Sequence, residues 1–474
     1  MEDELELYTG TLLYKGINFT FAFDKPELRL IPSEEDRHII EWDWKMKAIG
    51  QGAYTFADPI RIDEPYIIGE CNETNRKIVF IPKQGSTLGL YNSVVRILPV
   101  AYIICSSDSD AITGMSFSCP ELNYIHPVNQ ALMLDIPADR LGNNGVFTVS
   151  TRDFSLTTTE KQTFIVDGNE IRANFGITRT VSTKIHEEPL RLDSSLRFEF
   201  DPLNDYEFIY RLWWIARDFV RFLCYRKNVF ITTAKLLAPS EGGGQRQFAT
   251  MYLLEQDGAT ELEALKKGRY IKQIHIAGHE GEILSDIADD NLYLRHLPDT
   301  YQAGLHMNAA RFVMITAAFE WEFHRLFPDG VEKSVATIEA EEAVSECIQG
   351  HIDESSGKQK KIYKFLKRLV KSDSLQSEIV QTGKDLSAVV GMFGEKLYHI
   401  NGETLDYKEM GQRLADQRNH FAHGDLDKDF IGLSLLDLIY LENIIYALQL
   451  KHYGIDDLRI QKSINELFRH NFAL

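Results

Sequence analysis

In the stretch NFTFAF, Phe19, Phe21 and Phe23 alternate with polar or small residues, the period of a strand with one buried face. The alternation returns in SSLRFEF at Leu196, Phe198 and Phe200. RKIVFIP and SVVRILPVAYIIC are β-branched runs bounded by Gly, Pro, Asn or Ser, and also read as strands. TFIVDGNEIRANF sets Asp167-Gly168 between apolar segments, a hairpin signal because that pair tolerates positive φ. Many short strands with turn residues between them predict a β-rich, sandwich-like domain over residues 1–200.

The period changes after Asp201. In LNDYEFIYRLWWIARDFVRFLCYRK, Phe208, Leu212, Ile215, Phe219 and Phe222 recur at helical spacing, with Asn204 or Asp205 available as a cap. Residues 201–300 read as a mixed α/β connector, either separate or part of the N-terminal domain. It holds the strand-like RYIKQIHIAG and the segment EGGGQRQF. That Gly triplet lacks the following Lys-Ser/Thr of a phosphate-binding loop and reads as a hairpin tip.

From about His306 the chain reads as nearly all helix, with the domain boundary near Gln302–Leu305. MNAARFVMITAAFEWEFHRLF is amphipathic and stopped by Pro328; KQKKIYKFLKRLVK and KDLSAVVGMFGEKLYHI follow. In TLDYKEMGQRLADQRNHFAH, Tyr407, Met410, Leu414 and Phe421 share one face, and Gly424 stands where a helix end needs positive φ. The apolar FIGLSLLDLIYLENIIYALQLKHY closes the pattern. The fold class expected is α+β, with an all-α domain over 301–474.

Composition narrows the function. A chain of 474 residues with 44% hydrophobic residues supports two or three domains with real cores. No apolar run reaches bilayer length, and the acidic start MEDELELYTG lacks the layout of a secretory signal. The expectation is a soluble, cytoplasmic protein without a membrane partner. Cys71, Cys105, Cys119, Cys224 and Cys347 show no paired spacing and read as buried or free thiols. A net charge of −19 opposes a protein that coats nucleic acid with its whole surface, but leaves room for a local basic site.

The densest chemistry lies in DQRNHFAHGDLD. At about 100° per residue, Asn419 and His423 fall within roughly 40° of one helix face, whereas Arg418 sits roughly 140° from His423. One straight helix cannot aim Arg418 and His423 at the same atom, so either the helix end is distorted or a second copy completes the site. A His near neutral pKa can move a proton, and an Arg can hold a phosphate by two hydrogen bonds and stabilise a transition state. Asn419 could orient either. The three are a poor hard-metal ligand set, which favours metal-independent RNA cleavage with the ribose 2′-OH as nucleophile. The alternative is a solvated polar helix end.

Arg418, Asn419 and His423, with four residues between the Arg and the His, resemble the HEPN ribonuclease motif. The wider layout resembles ApeA-like abortive-infection proteins of bacterial anti-phage defence, β-rich at the N-terminus and HEPN at the C-terminus. SSLRFEF with the helix after it is similar to the end of such an N-terminal domain. VMITAAFEWEFHRLF is similar to the first long HEPN helix, where Glu320 matches an acidic position. The resemblance implies a homodimeric endoribonuclease without cofactor or metal, cleaving host RNA with tRNA the candidate. It also implies a trigger at infection, with a phage protein the candidate for what the β-domain senses. Arg418 and His423 would then be catalytic and Asn419 supporting. One His423 would deprotonate the 2′-OH, its counterpart in the second copy would protonate the leaving 5′-oxygen, and 2′,3′-cyclic phosphate ends would result.

Three other features bear on function. Lys360, Lys364, Lys367 and Lys371 form a row at helical spacing in GKQKKIYKFLKRLVK, suited either to an RNA backbone or to solvent on an amphipathic bundle helix. Glu320, Glu322 and His324 lie within one helix turn; Glu320 could reach Arg418 or His423, while contacts within the helix are the alternative. His275 and His279 in HIAGHE have metal-like spacing only on a helix, which Gly278 opposes. The rival functional class is a HEPN-fold binding or adaptor protein without nuclease activity, whose β-domain binds a protein or sugar.

Overall fold

The computed structural model describes residues 5–107, 111–135, 148–184, 188–254, 260–370, 372–422 and 430–474. The chain is α+β, with an antiparallel β-region over residues 7–253 and a helical region over 262–468. It forms two compact units: Met1–Leu223 with Asn228–Leu262 and Glu280–Asp289, and Cys224–Lys227 with Glu263–His279 and Asp290–Leu474.

In the first unit, hydrogen bonding runs unbroken through a 14-stranded sheet, where the sequence pattern suggests a sandwich. Continuity comes from long strands that bond on both edges: Leu190–Leu203 pairs with Asn169–Val181 on one side and with Ile112–Phe117 on the other. Phe19, Phe21 and Phe23 all point into the core, and Phe23 meets Phe80 and Tyr102 edge to face at centroid distances of 5.1 and 4.9 Å. Asp167 and Gly168 have φ of 50° and 80° and turn the chain between paired Val166 and Asn169. Helix α1, Tyr206–Cys224, starts at Asp205, whose carboxylate accepts the backbone N–H groups of Glu207 and Phe208. Its Phe208 and Phe219 lie against Phe200 and Phe175 of the sheet. The Gly triplet forms the tip between the paired strands Thr233–Pro239 and Gln245–Leu253.

The second unit contains α2 (Ala309–Leu326), α3 (Val335–Glu354), α4 (Gly357–Val370), α5 (Leu375–Ile400), α6 (Tyr407–Ala422), α7 (Ser434–His452) and α8 (Asp457–Phe468). Helix α8 extends the bundle past the point where the apolar sequence pattern ends; its Ile460, Ile464 and Leu467 are buried at helical spacing. RYIKQIHIAG holds a single helical turn, Gln273–Ile276, rather than a strand. Polar contacts decide this, because Lys272 and His275 both reach Glu466 of α8, at 2.7 and 3.3 Å.

Helix α7 is the centre of the bundle, apolar on nearly every side. Four of its buried polar residues are each joined to a different side chain. Asp437 takes Arg413 of α6, Glu442 takes Arg311 of α2, Asn443 takes His470, and Gln449 takes Glu322 of α2. Two glycines of α5 admit close neighbours. A Cβ on Gly383 would lie 2.3 Å from the Tyr407 ring, and one on Gly394 would lie 2.5 Å from the Tyr440 ring. Larger residues there would push α6 and α7 away from α5. Among the described residues, no helix is long and apolar enough to cross a membrane, and the five cysteines are unbridged.

Candidate active site

Arg418 stands on the last turn of α6, a helix set on α7 by two buried ties. The Arg413 guanidinium makes two bonds of 2.7 Å to Asp437, which is fully buried, and Tyr398 of α5 donates to the same carboxylate. One turn beyond Arg413, the buried Gln417 accepts the backbone N–H of Ile431 at 2.8 Å and the Ser434 hydroxyl at 3.0 Å. Phe421 packs in an aromatic trio with Phe312 of α2 and Phe430. These contacts fix α6 on one side of residues 423–429 and the approach to α7 on the other. His423 and Gly424 lie outside the described residues, as does Lys371.

The Arg418 side chain keeps 40% of its exposure and donates from Nη1 to Glu320 of α2. Glu320 therefore crosses the bundle instead of pairing within its own helix. Its neighbours divide by face. Glu322 is buried, held by Arg325, Gln449 and the Tyr293 backbone, and is a structural group. His324, 54% exposed and one turn after Glu320, places Nε2 3.4 Å from Glu378 of α5. Asn419 is exposed.

Glu378 is a group that the sequence pattern does not reveal. It sits on the first turn of α5, behind Ser374, which caps the helix and forms a capping box with Ser377. Its side chain is almost wholly buried and its Oε2 has no hydrogen-bond partner among the described residues. Burial, then the nearby Glu320 and Asp373, push the Glu378 carboxyl up to about 8, with Arg418 pulling the other way. In SDSLQSEIVQ nothing marks this Glu, since burial beside two other carboxylates arises only from packing. The site thus joins a phosphate-capable cation, a carboxyl protonated near neutral pH and an exposed imidazole, a set able to bind an anion and move a proton.

A carboxyl with a raised folded pKa binds its proton more tightly than the unfolded chain does. Its penalty is absent below the unfolded value of 4.5 and grows as pH rises toward about 8, so stability is lost over that window. Glu378→Gln removes the titration. Its stability relative to wild type should improve between about pH 5 and about pH 9, by on the order of 1–3 kcal/mol. Thermal melts across that range check this, and a flat difference would refute the assignment.

The basic row falls on α4, and its surroundings differ from a packed bundle helix. Helix α4 packs on α3 and buries none of its residues; Ile362, Phe365, Leu366 and Leu369 are all exposed. Lys364, Lys367 and Arg368 line an open groove of about 480 Å³ along α3, where Lys367 also bonds Gln349 at 2.7 Å. The helices that pack closely on α6 are α5, α7 and α2. His275 is buried against Glu466, and no group of three or more His, Cys, Asp or Glu among the described residues is arranged to hold a metal ion. Gly278, with φ of 89°, ends the turn after His275.

Compared with protein-family models, curated proteins and solved structures, the chain matches none.

Proposed function

We propose that the helical unit is a HEPN-type, metal-independent endoribonuclease, acting as a homodimer on RNA, with tRNA the candidate substrate, and serving anti-phage defence under control of the β-region. One observation carries the reading. Arg418 and Glu320, the arginine and the acidic position that the HEPN resemblance singles out, lie 98 positions apart and meet as an ion pair at a half-exposed helix end. The contact uses only Nη1, so the guanidinium retains donors for a phosphate. In the reaction, the 2′-oxygen bonds to phosphorus and the bond to the 5′-oxygen breaks. His423 takes the 2′-OH proton, a second His423 protonates the leaving oxygen, and Arg418 stabilises the phosphorane. Glu378, protonated near neutral pH, is a further proton donor beside this centre.

The same ion pair favours a second reading, in which Arg418 serves only to fasten α6 to α2 in a binding or adaptor protein. Incubating wild type and His423→Ala with bulk tRNA and mRNA in EDTA, then mapping the ends, separates the two. Cleavage by wild type alone with 2′,3′-cyclic phosphate ends supports the nuclease; equal cleavage by both proteins, or 5′-phosphate products, would sink it. The α4 row is assigned to the RNA backbone. Lys360→Glu with Lys364→Glu should weaken RNA binding and lower the salt slope by about one for each phosphate interaction removed. An unchanged affinity across a salt series would remove α4 from the interface.

A further inference from the structure

Helices α3 and α4 are joined by two residues, Ser355 and Ser356, and run back along each other as a hairpin. Among the described residues, each packs closely on the other and on no further helix. Lys333 fastens the base of the hairpin, pairing with Glu341 of α3 at 3.0 Å and with Asp373 at 3.2 Å. At about 100° per residue, Ile362, Phe365, Leu366 and Leu369 fall on an arc of roughly 100° of α4. Their side chains are 40–60% exposed. Ala336, Ala340, Ala343, Val344 and Cys347 share an arc of similar width on α3, and all are exposed. Measured from the residues that face the other helix, both arcs turn to the same side of the hairpin. A continuous apolar side of this kind marks an interaction surface.

Charge says what covers it. Helix α3 carries six Asp and Glu and no Lys or Arg, whereas α4 carries six Lys and Arg and no Asp or Glu. We propose that the hairpins of two copies pair through their apolar sides as a four-helix bundle, α3 of each against α4 of the other. A two-fold axis along the helices gives this arrangement and brings opposite charges together. A two-fold axis across them would lay α3 on α3 and oppose like charges. A 20-residue helix such as α3 is about 30 Å long, and two side by side are about 20 Å wide. Each copy thus offers about 600 Å², or about 1,200 Å² in total, the lower end of a stable interface. Lys360, Lys364 and Lys367 lie on the opposite side of α4 from the apolar arc, so the row assigned to RNA stays open. The inference stands apart from the nuclease reading, since pairing needs no cleavage.

The test is sedimentation equilibrium of the full chain. Wild type should be a dimer at micromolar concentration. Phe365→Ser with Leu369→Ser should raise the dissociation constant about a hundredfold or more. Both side chains are half-exposed in the single chain, so the variant should keep its helical circular dichroism. Two charge-reversed variants form the second arm. Glu339 and Glu354 lie in or beside the α3 arc, Lys358 and Lys361 in or beside the α4 arc, and all four are exposed. Glu339→Lys with Glu354→Lys, and separately Lys358→Glu with Lys361→Glu, should each weaken self-association by about tenfold. Mixed in equal amounts, the two variants should form a heterodimer about as tight as wild type. Charge pairing within one hairpin, or a dimer held elsewhere, gives no such rescue. Dimers indifferent to the apolar pair, or reversed variants that stay apart on mixing, would overturn the proposal. So would a monomeric wild type, and one that sediments with phosphatidylserine vesicles would assign the apolar side to a lipid surface instead.

Discussion

Arg418→Ala should lower RNA cleavage by about 10²–10³-fold, the drop expected when a charge-stabilising donor is removed from a transition state. Folding should be nearly untouched, because a half-exposed ion pair contributes about 0–1 kcal/mol. This contrast separates the two readings of the ion pair. A fastening role predicts a stability change and no specific loss of turnover, whereas a phosphate-binding role predicts the reverse. Arg418→Lys should fall between, since it keeps the charge and loses the planar fork that holds two phosphate oxygens. Glu320→Gln removes the partner and leaves the guanidinium, so cleavage should survive in it far better than in Arg418→Ala. Single-turnover cleavage of bulk tRNA alongside melting curves would measure all three. Full activity in Arg418→Ala would end the assignment.

Asp437→Ala should have the largest effect on stability, about 3–5 kcal/mol. The carboxylate is fully buried and receives two bonds from Arg413 as well as the Tyr398 hydroxyl, so its removal leaves a guanidinium and a phenol without an acceptor inside the bundle. Denaturant unfolding followed through the helical transition checks this. Asp437→Asn retains one carbonyl acceptor and should cost less. Arg413 and Gln417 lie one turn apart on α6, and Arg418 comes next. Loosening the first tie should therefore also blunt the Arg418 site, with cleavage falling further than the fraction unfolded accounts for. A shift below about 1 kcal/mol would mean that packing alone seats α6.

Much of this architecture can be read locally. Alternation at Phe19, Phe21 and Phe23 and at Leu196, Phe198 and Phe200 requires strands, because the period of 2 places those rings on one face. Asp167-Gly168 specifies its turn through backbone conformation, and Asp205 begins α1 through its own side chain. The shared face of Met410, Leu414 and Phe421 likewise specifies α6, with all three buried. Each of these depends on residues a few positions apart.

Local patterning thus carries the α+β division, the main elements, their buried faces and the presence of Arg418 and Asn419 at a helix end. Pairings across long separations come from packing. Packing joined fourteen strands in one sheet, drew RYIKQIHIAG into a helical turn through Glu466, and left the α4 apolar face exposed on α3. It also brought Glu320 to Arg418 and set Glu378 and His324 beside them. Helix and strand periods are set by neighbouring residues, whereas a carboxyl's burial, charge state and partners depend on which distant helices close around it.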